Sequence, residues 1–281
     1  INGEIRPTAR ELRPELALLV AERRGTDGST TVYSPAGSLT RGELELVEGL
    51  GDTLCLPDLL PEGPVAKGAA WDVRKTALWA ITGYDSVTST TVKGVVDSMG
   101  EDEVRVAIKG EVKGSVLGAE GTITCEGFLT FDRKAGLISA LELNRTESRR
   151  PGEVEAGLDL KSTLSIARRG GLAAPPELTE AGIAGLSVEP TSGRLLLQLI
   201  APDGRYNLLH DRSWHTHWDD RRLVVLKKYA EGRVSAQCNL VYGPDAPKGK
   251  HQDVQEFERD VRRALKDRMN HVIGSGEIPG D

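Results

Sequence analysis

The residues whose types and spacing come nearest to chemistry form one run, Trp214-His215-Thr216-His217-Trp218-Asp219. Side chains of an extended strand alternate between its two faces, so His215, His217 and Asp219 would share one face and Trp214, Thr216 and Trp218 the other. Two imidazoles and a carboxylate are a ligand set for zinc or non-haem iron. The competing reading is an amphipathic strand that turns its tryptophans to the core and its polar face to water. That reading is preferred, because His210, His251 and His271 are scattered and none has a spacing that demands convergence. His271 falls in the last turn of a predicted helix, where the helix dipole favours a cation.

Other motifs fall short of chemistry. The glycines of the stretch from Gly110 through Gly114 and Gly118 to Gly121 suggest a phosphate loop, but neither Gly-Lys-Ser/Thr entering a helix nor Gly-x-Gly-x-x-Gly between strand and helix occurs there. A flexible hairpin connection is expected instead. No Gly-x-Ser-x-Gly nucleophile elbow is present, and no carboxylate pair stands where one pKa would be raised for glycoside hydrolysis. Cys55, Cys125 and Cys238 lie far apart without a Cys-x-x-Cys pair, among apolar neighbours, so each reads as a small core residue. No catalytic residue and no cofactor is assigned, and a non-enzyme is expected.

The elements that must position these residues follow from composition and pattern. At 281 residues, two domains are the natural expectation. With 36 basic and 42 acidic residues interspersed, net charge −6 and 4% aromatics, a nucleic-acid partner is disfavoured. No run approaches the ~20 apolar residues that span a bilayer. A chain that begins at Ile1 rather than Met reads as a trimmed or processed form, so localisation signals, including any lipid anchor in a missing leader, are not legible in it.

The Gly170-Gly171 and Pro175-Pro176 pairs mark a linker at 169–176 between a β-rich domain, 1–168, and a second domain, 177–281. Before it, residues 16–33 read as a hairpin about Gly25-Thr26-Asp27-Gly28, with a helix opened by Pro14 as the alternative. Thr40 and Glu43 have capping-box spacing and open a short helix over 44–47. From Trp71 onward the pattern has period two, with strands at 87–96, 103–109, 121–131, 137–146 and 157–167. Such an antiparallel meander is expected to curl into a barrel-like or strongly twisted sheet. After the linker, 195–200, 206–209, 223–228 and 234–241 read as strands. Val254, Phe257, Val261, Leu265, Met269 and Val272 form a helical stripe capped by Asp253 and ended by Gly274. The fold class is α+β, with that helix covering the second sheet.

The segment from Leu59-Leu60-Pro61 through Gly63-Pro64-Val65 to Trp71, followed by the meander, resembles an uncharacterised all-β domain of bacterial exported proteins and lipoproteins, for which no activity carries over. Its prolines fix an extended approach, Gly68 reverses the chain, and Trp71 begins the first long strand. The second domain, on Tyr206 to Trp214, Gly232 to Leu240 and Val254 to Val261, is similar to the PsbP-like fold. That resemblance implies protein binding rather than catalysis, by analogy of fold alone. The expected function is therefore a non-enzymatic periplasmic or envelope-associated binding or scaffolding protein of unknown protein partner, with Trp214, Trp218, Trp71 and Trp79 as the interaction surface. Two alternatives stand beside it: a metal-binding protein using His215, His217 and Asp219, and a carrier of an apolar ligand in the N-terminal β domain.

Overall fold

The computed structural model describes residues 11–24, 29–153, 155–201, 204, 206–219, 223–241, 253–266, 271 and 274. It divides into two units, residues 1–240 and 241–281.

In the first unit, β1 (Val20–Arg24) and β2 (Ser29–Tyr33) form the expected antiparallel hairpin. Pro14 opens only a three-residue 3-10 turn, Pro14–Leu16, and not the alternative helix. Helix α1 (Arg41–Val47) starts where Thr40 and Glu43 predict it: the Thr40 hydroxyl accepts from the Glu43 amide and the Glu43 carboxylate accepts from the Thr40 amide.

Strand β3 (Ala70–Asp72) is only three residues long, because the chain after Trp71 coils into helix α2 (Lys75–Thr82), which the period-two reading misses. Its Ala77, Leu78, Ala80 and Ile81 are buried, and Gly83, at φ 74°, ends it in the left-handed conformation that glycine adopts without strain.

The predicted strand at 87–96 is broken into β4 (Ser86–Thr90) and β5 (Lys93–Met99), which pair with successive stretches of β6 (Glu103–Val116). The break lies beside Gly110. A Cβ there would stand 2.5 Å from Val92 Cα, and one at Gly114 would collide with the Ser86 carbonyl oxygen. These glycines permit close backbone approach inside a strand and are not the flexible connection expected of them. The reversal comes later, at Leu117-Gly118, and leads into β7 (Ala119–Asp132), β8 (Leu137–Arg149) and β9 (Leu158–Ala167).

The resulting antiparallel sheet has the order β3-β5-β6-β7-β8-β9, with β4 beside β6. Its alternation is one-sided. Val106, Ile108, Val112, Ile123, Cys125, Leu129, Leu141 and Leu143 are buried together with Leu78 and Ile81 of α2, whereas Lys109, Glu126 and Asn144 face water. Among the described residues no ladder joins β3 to β9.

Beyond β9, the short helices α3 (Glu180–Ile183) and α4 (Ser192–Leu195) precede β10 (Leu197–Ile200), which pairs with β11 (Asn207–His210). The strands β12 (Trp214–Asp219), β13 (Leu223–Ala230) and β14 (Arg233–Val241) form a three-stranded antiparallel sheet. Residues on either side of 169–176 meet directly: the Gln198 amide donates to the Leu39 carbonyl, and the Tyr33 hydroxyl to that of Val188.

The second unit holds helix α5 (Val254–Leu265), whose first turn is capped as predicted by Asp253 accepting from the Gln255 and Glu256 amides. The assigned helix ends six residues before His271, which is therefore not in its last turn. Met269, Val272, His251 and the Gly25-Thr26-Asp27-Gly28 turn lie outside the described residues.

Candidate functional site

Residues 214–219 are extended, as the metal-ligand reading requires, but a bulge changes which side chains share a face. Thr216 stands opposite Leu226 and Trp218 opposite Val225, so His217 is the extra residue with no opposite number. Opposed residues of an antiparallel ladder share a face. His215 and Trp218 therefore lie on one face, while Trp214, Thr216 and Asp219 lie on the other, beside Val224 and Leu226. The expected His215, His217 and Asp219 set is not assembled: strict alternation is the condition it needed, and one inserted residue removes it. No group of three or more His, Cys, Asp or Glu side chains placed to hold a metal ion occurs among the described residues.

His215 is half-buried and meets the Tyr229 ring edge to face at 5.4 Å. Burial, reinforced by the positive charge of Arg41 and by the neighbouring His210, pushes its imidazole down to about 4, so it is neutral at pH 7. Trp214 packs against the cluster of Leu199, Val224 and Leu226, and Trp218 is 55% exposed. All three cysteines are free thiols; burial pushes Cys125 up to about 11.

The remaining two tryptophans line cavities. Trp79 borders a recess of about 290 Å³ beside Glu48 and Leu54. Trp71 borders a more apolar one, a cleft of about 330 Å³ at one end of the seven-stranded sheet. One wall is the extended segment Leu60, Pro61, Pro64 and Val65. The floor is Val96, Val104, Val106 and Phe131, from β5, β6 and β7. Met99 and Arg133 stand at its edge, and Arg133 is the one charged side chain among the lining residues.

The local sequence explains why this cleft exists. Pro61 and Pro64 fix an extended path that cannot donate into a ladder, so segment 60–65 runs over the sheet rather than joining it. Trp71 secures it, because the indole Nε1 donates to the Leu59 carbonyl at 3.0 Å. Asp58, nearly buried, is held by Arg23 at 2.6 Å and Arg74 at 2.8 Å and accepts a further hydrogen bond from Thr76, which fixes the preceding 3-10 turn, Leu56–Leu59. Burial pushes the Asp58 carboxyl up, but the hydrogen bonds from Arg23 and Thr76 and the charges of Arg74 and Arg23 outweigh it and hold the group below its usual range. Two bulges at the same end of the sheet, at Asp97 in β5 and at Ser139 in β8, add local twist.

The sequence pointed to Trp71 and to the prolines but not to the floor. Val104 and Phe131 carry the same alternating signal as the fully packed strand positions beside them. Their exposure depends on where α2 stops covering the sheet.

No protein-family model, no curated protein and no solved structure matches this chain.

Proposed function

We propose that this chain is a non-enzymatic binding protein that takes an apolar group into the cleft beneath Trp71. The observation that carries the reading is the cleft itself. A concavity of this volume, apolar on floor and wall and formed by a rigid sheet under a pinned proline segment, has the attributes of a preformed small-molecule pocket. Exposed apolar surface is costly, and here it is concentrated: Val65 and Met99 are 37% and 42% exposed around a floor in which Val104 and Phe131 are half-buried and Val96 and Val106 are buried. Behind it Ile108, Ile123, Leu129 and Leu141 cluster with Leu78 and Ile81 of α2, so the ligand is held at the end of the sheet.

An exported, envelope-associated setting and a PsbP-like second half belong to the same proposal. They rest on sequence resemblance, with the antiparallel β12-β13-β14 sheet in support.

The test is a fluorescence titration of the full chain with 1-anilinonaphthalene-8-sulfonate. One saturable site is expected, weakened at least about tenfold by Val65→Asp, which places a charge in an exposed wall position and leaves the core untouched. Non-saturable binding, or binding indifferent to that substitution, rejects the proposal.

A further inference from the structure

We infer that β9 is the pairing edge of a two-fold symmetric dimer, in which two copies of this chain join their seven-stranded sheets antiparallel through Ser162. The opposite end of the sheet path is β3, only three residues long, whereas β9 has ten residues and β8 as its single ladder partner among the described residues. Natural proteins blunt long edges with prolines, bulges, very short strands or charged side chains, and of these β9 carries only Asp159 and Lys161, both on its solvent face. Strand β9 has no proline, no glycine and no bulge, and its ladder with β8 runs without a break from Leu158 to Ala167.

The direction of its backbone groups is fixed by one bond. The Arg168 amide donates to the Ser139 carbonyl at 2.7 Å, so even-numbered residues of this strand turn their amides and carbonyls toward β8. Asp159, Lys161, Thr163, Ser165 and Ala167 therefore turn theirs outward, away from every paired strand described. Even-numbered side chains lie on the core face of the sheet, and that face is incompletely covered here: Leu158 is 38% exposed and Leu160 41%.

A second copy satisfies both the free backbone and the free apolar surface. With the two-fold axis at Ser162, Leu158 stands opposite the partner's Ile166 and Leu160 opposite the partner's Leu164, all on the core face. Asp159 then stands opposite the partner's Ser165 and Lys161 opposite the partner's Thr163, on the wet face. No apolar side chain meets a charged one, and the Lys161 and Thr163 backbones exchange hydrogen bonds across the axis. Such main-chain pairing gives affinity while the alternate side chains give register.

The experiment is light scattering of the full chain on a sizing column, over a range of concentrations about the micromolar. Twice the 30.3 kDa chain mass is expected. Ser165→Pro removes one outward amide and no bond to β8, and Leu160→Lys charges an exposed position without setting a like charge against Glu147, its neighbour in β8. Each should return the mass to that of one chain with an unchanged far-UV circular dichroism spectrum. Ser162→Cys should form an intermolecular disulfide on mild oxidation that wild type does not, since facing residues at a non-hydrogen-bonded position have Cα atoms ~4.5 Å apart. A single-chain mass for wild type, or a dimer that survives both substitutions, overturns the inference. A dimer that does not cross-link through Cys at 162 overturns the Ser162 register.

Discussion

The Trp71 indole lies flat across Gly94 of β5, its opposite number in the ladder: a Cβ at 94 would stand 2.4 Å from Trp71 Cζ2 and 2.9 Å from Nε1. The indole reaches the Leu59 carbonyl only because residue 94 has no side chain. Gly94→Ala must therefore displace a rigid ring and break that hydrogen bond. A loss of about 1–3 kcal/mol in chemical denaturation is expected, as for other overpacked sites, together with weaker binding of the apolar probe. Unchanged stability and unchanged binding would show that the ring does not hold the proline segment in place.

Glu43 makes the protein acid-sensitive in a defined window. Burial pushes its carboxyl up, but hydrogen bonds from the Arg13 side chain and from the Thr40 and Arg13 amides, with the Arg13 charge, bring it down to about 2. A carboxylate whose pKa is lowered on folding contributes stability that is complete above its unfolded value, 4.5, and lost as pH falls toward the folded value. The shift corresponds to on the order of 3 kcal/mol. Denaturation midpoints between pH 7 and pH 3 should fall for wild type and fall less for Glu43→Gln, which starts from a lower value.

His215 adds to that acid limb from the opposite charge type. Its folded imidazole titrates near 4 and its unfolded one at 6.5, so below 6.5 the unfolded chain takes up the proton first and stability declines with falling pH. His215→Phe keeps a ring against Tyr229 and removes the titration. The slope of stability between pH 6.5 and pH 4.5 should flatten in that variant; an unaltered slope would mean that His215 is solvated in the folded chain.

Glu147 lies between two arginines on the core face of β8, 2.6 Å from Arg149 and 3.9 Å from the almost fully buried Arg145, whose guanidinium also donates to the Thr82 carbonyl at the end of α2. Removing one partner of a buried pair leaves the other charge unpaired. Glu147→Ala should cost about 3–5 kcal/mol, and Arg145→Met combined with Glu147→Leu should recover most of it. Equal losses in the single and double variants would contradict the pairing.

The alternating strands were legible because their polarity changes with every residue, and the capping box of α1 because Thr40 and Glu43 satisfy each other locally. Helix α2 was hidden: it is buried on enough of its surface that Ala77, Leu78, Ala80 and Ile81 leave no polar stripe, and only Gly83 marked its end. The bulge at His217 left no sequence signal, since inserting one residue into a strand changes facing and not composition. The metal-ligand reading failed on that single register shift. Trp71 was legible as an aromatic on a strand; the cleft beneath it depends on where α2 and segment 60–65 leave the sheet uncovered, which is a property of three elements together.

The cleft is tested most directly by the indole N–H resonances of ¹⁵N-labelled protein during titration with 1-anilinonaphthalene-8-sulfonate. Binding beneath Trp71 predicts a saturable shift of the Trp71 indole resonance, assigned through Trp71→Phe, while those of Trp214 and Trp218 stay in place. Probe binding that leaves the Trp71 resonance unmoved contradicts the account.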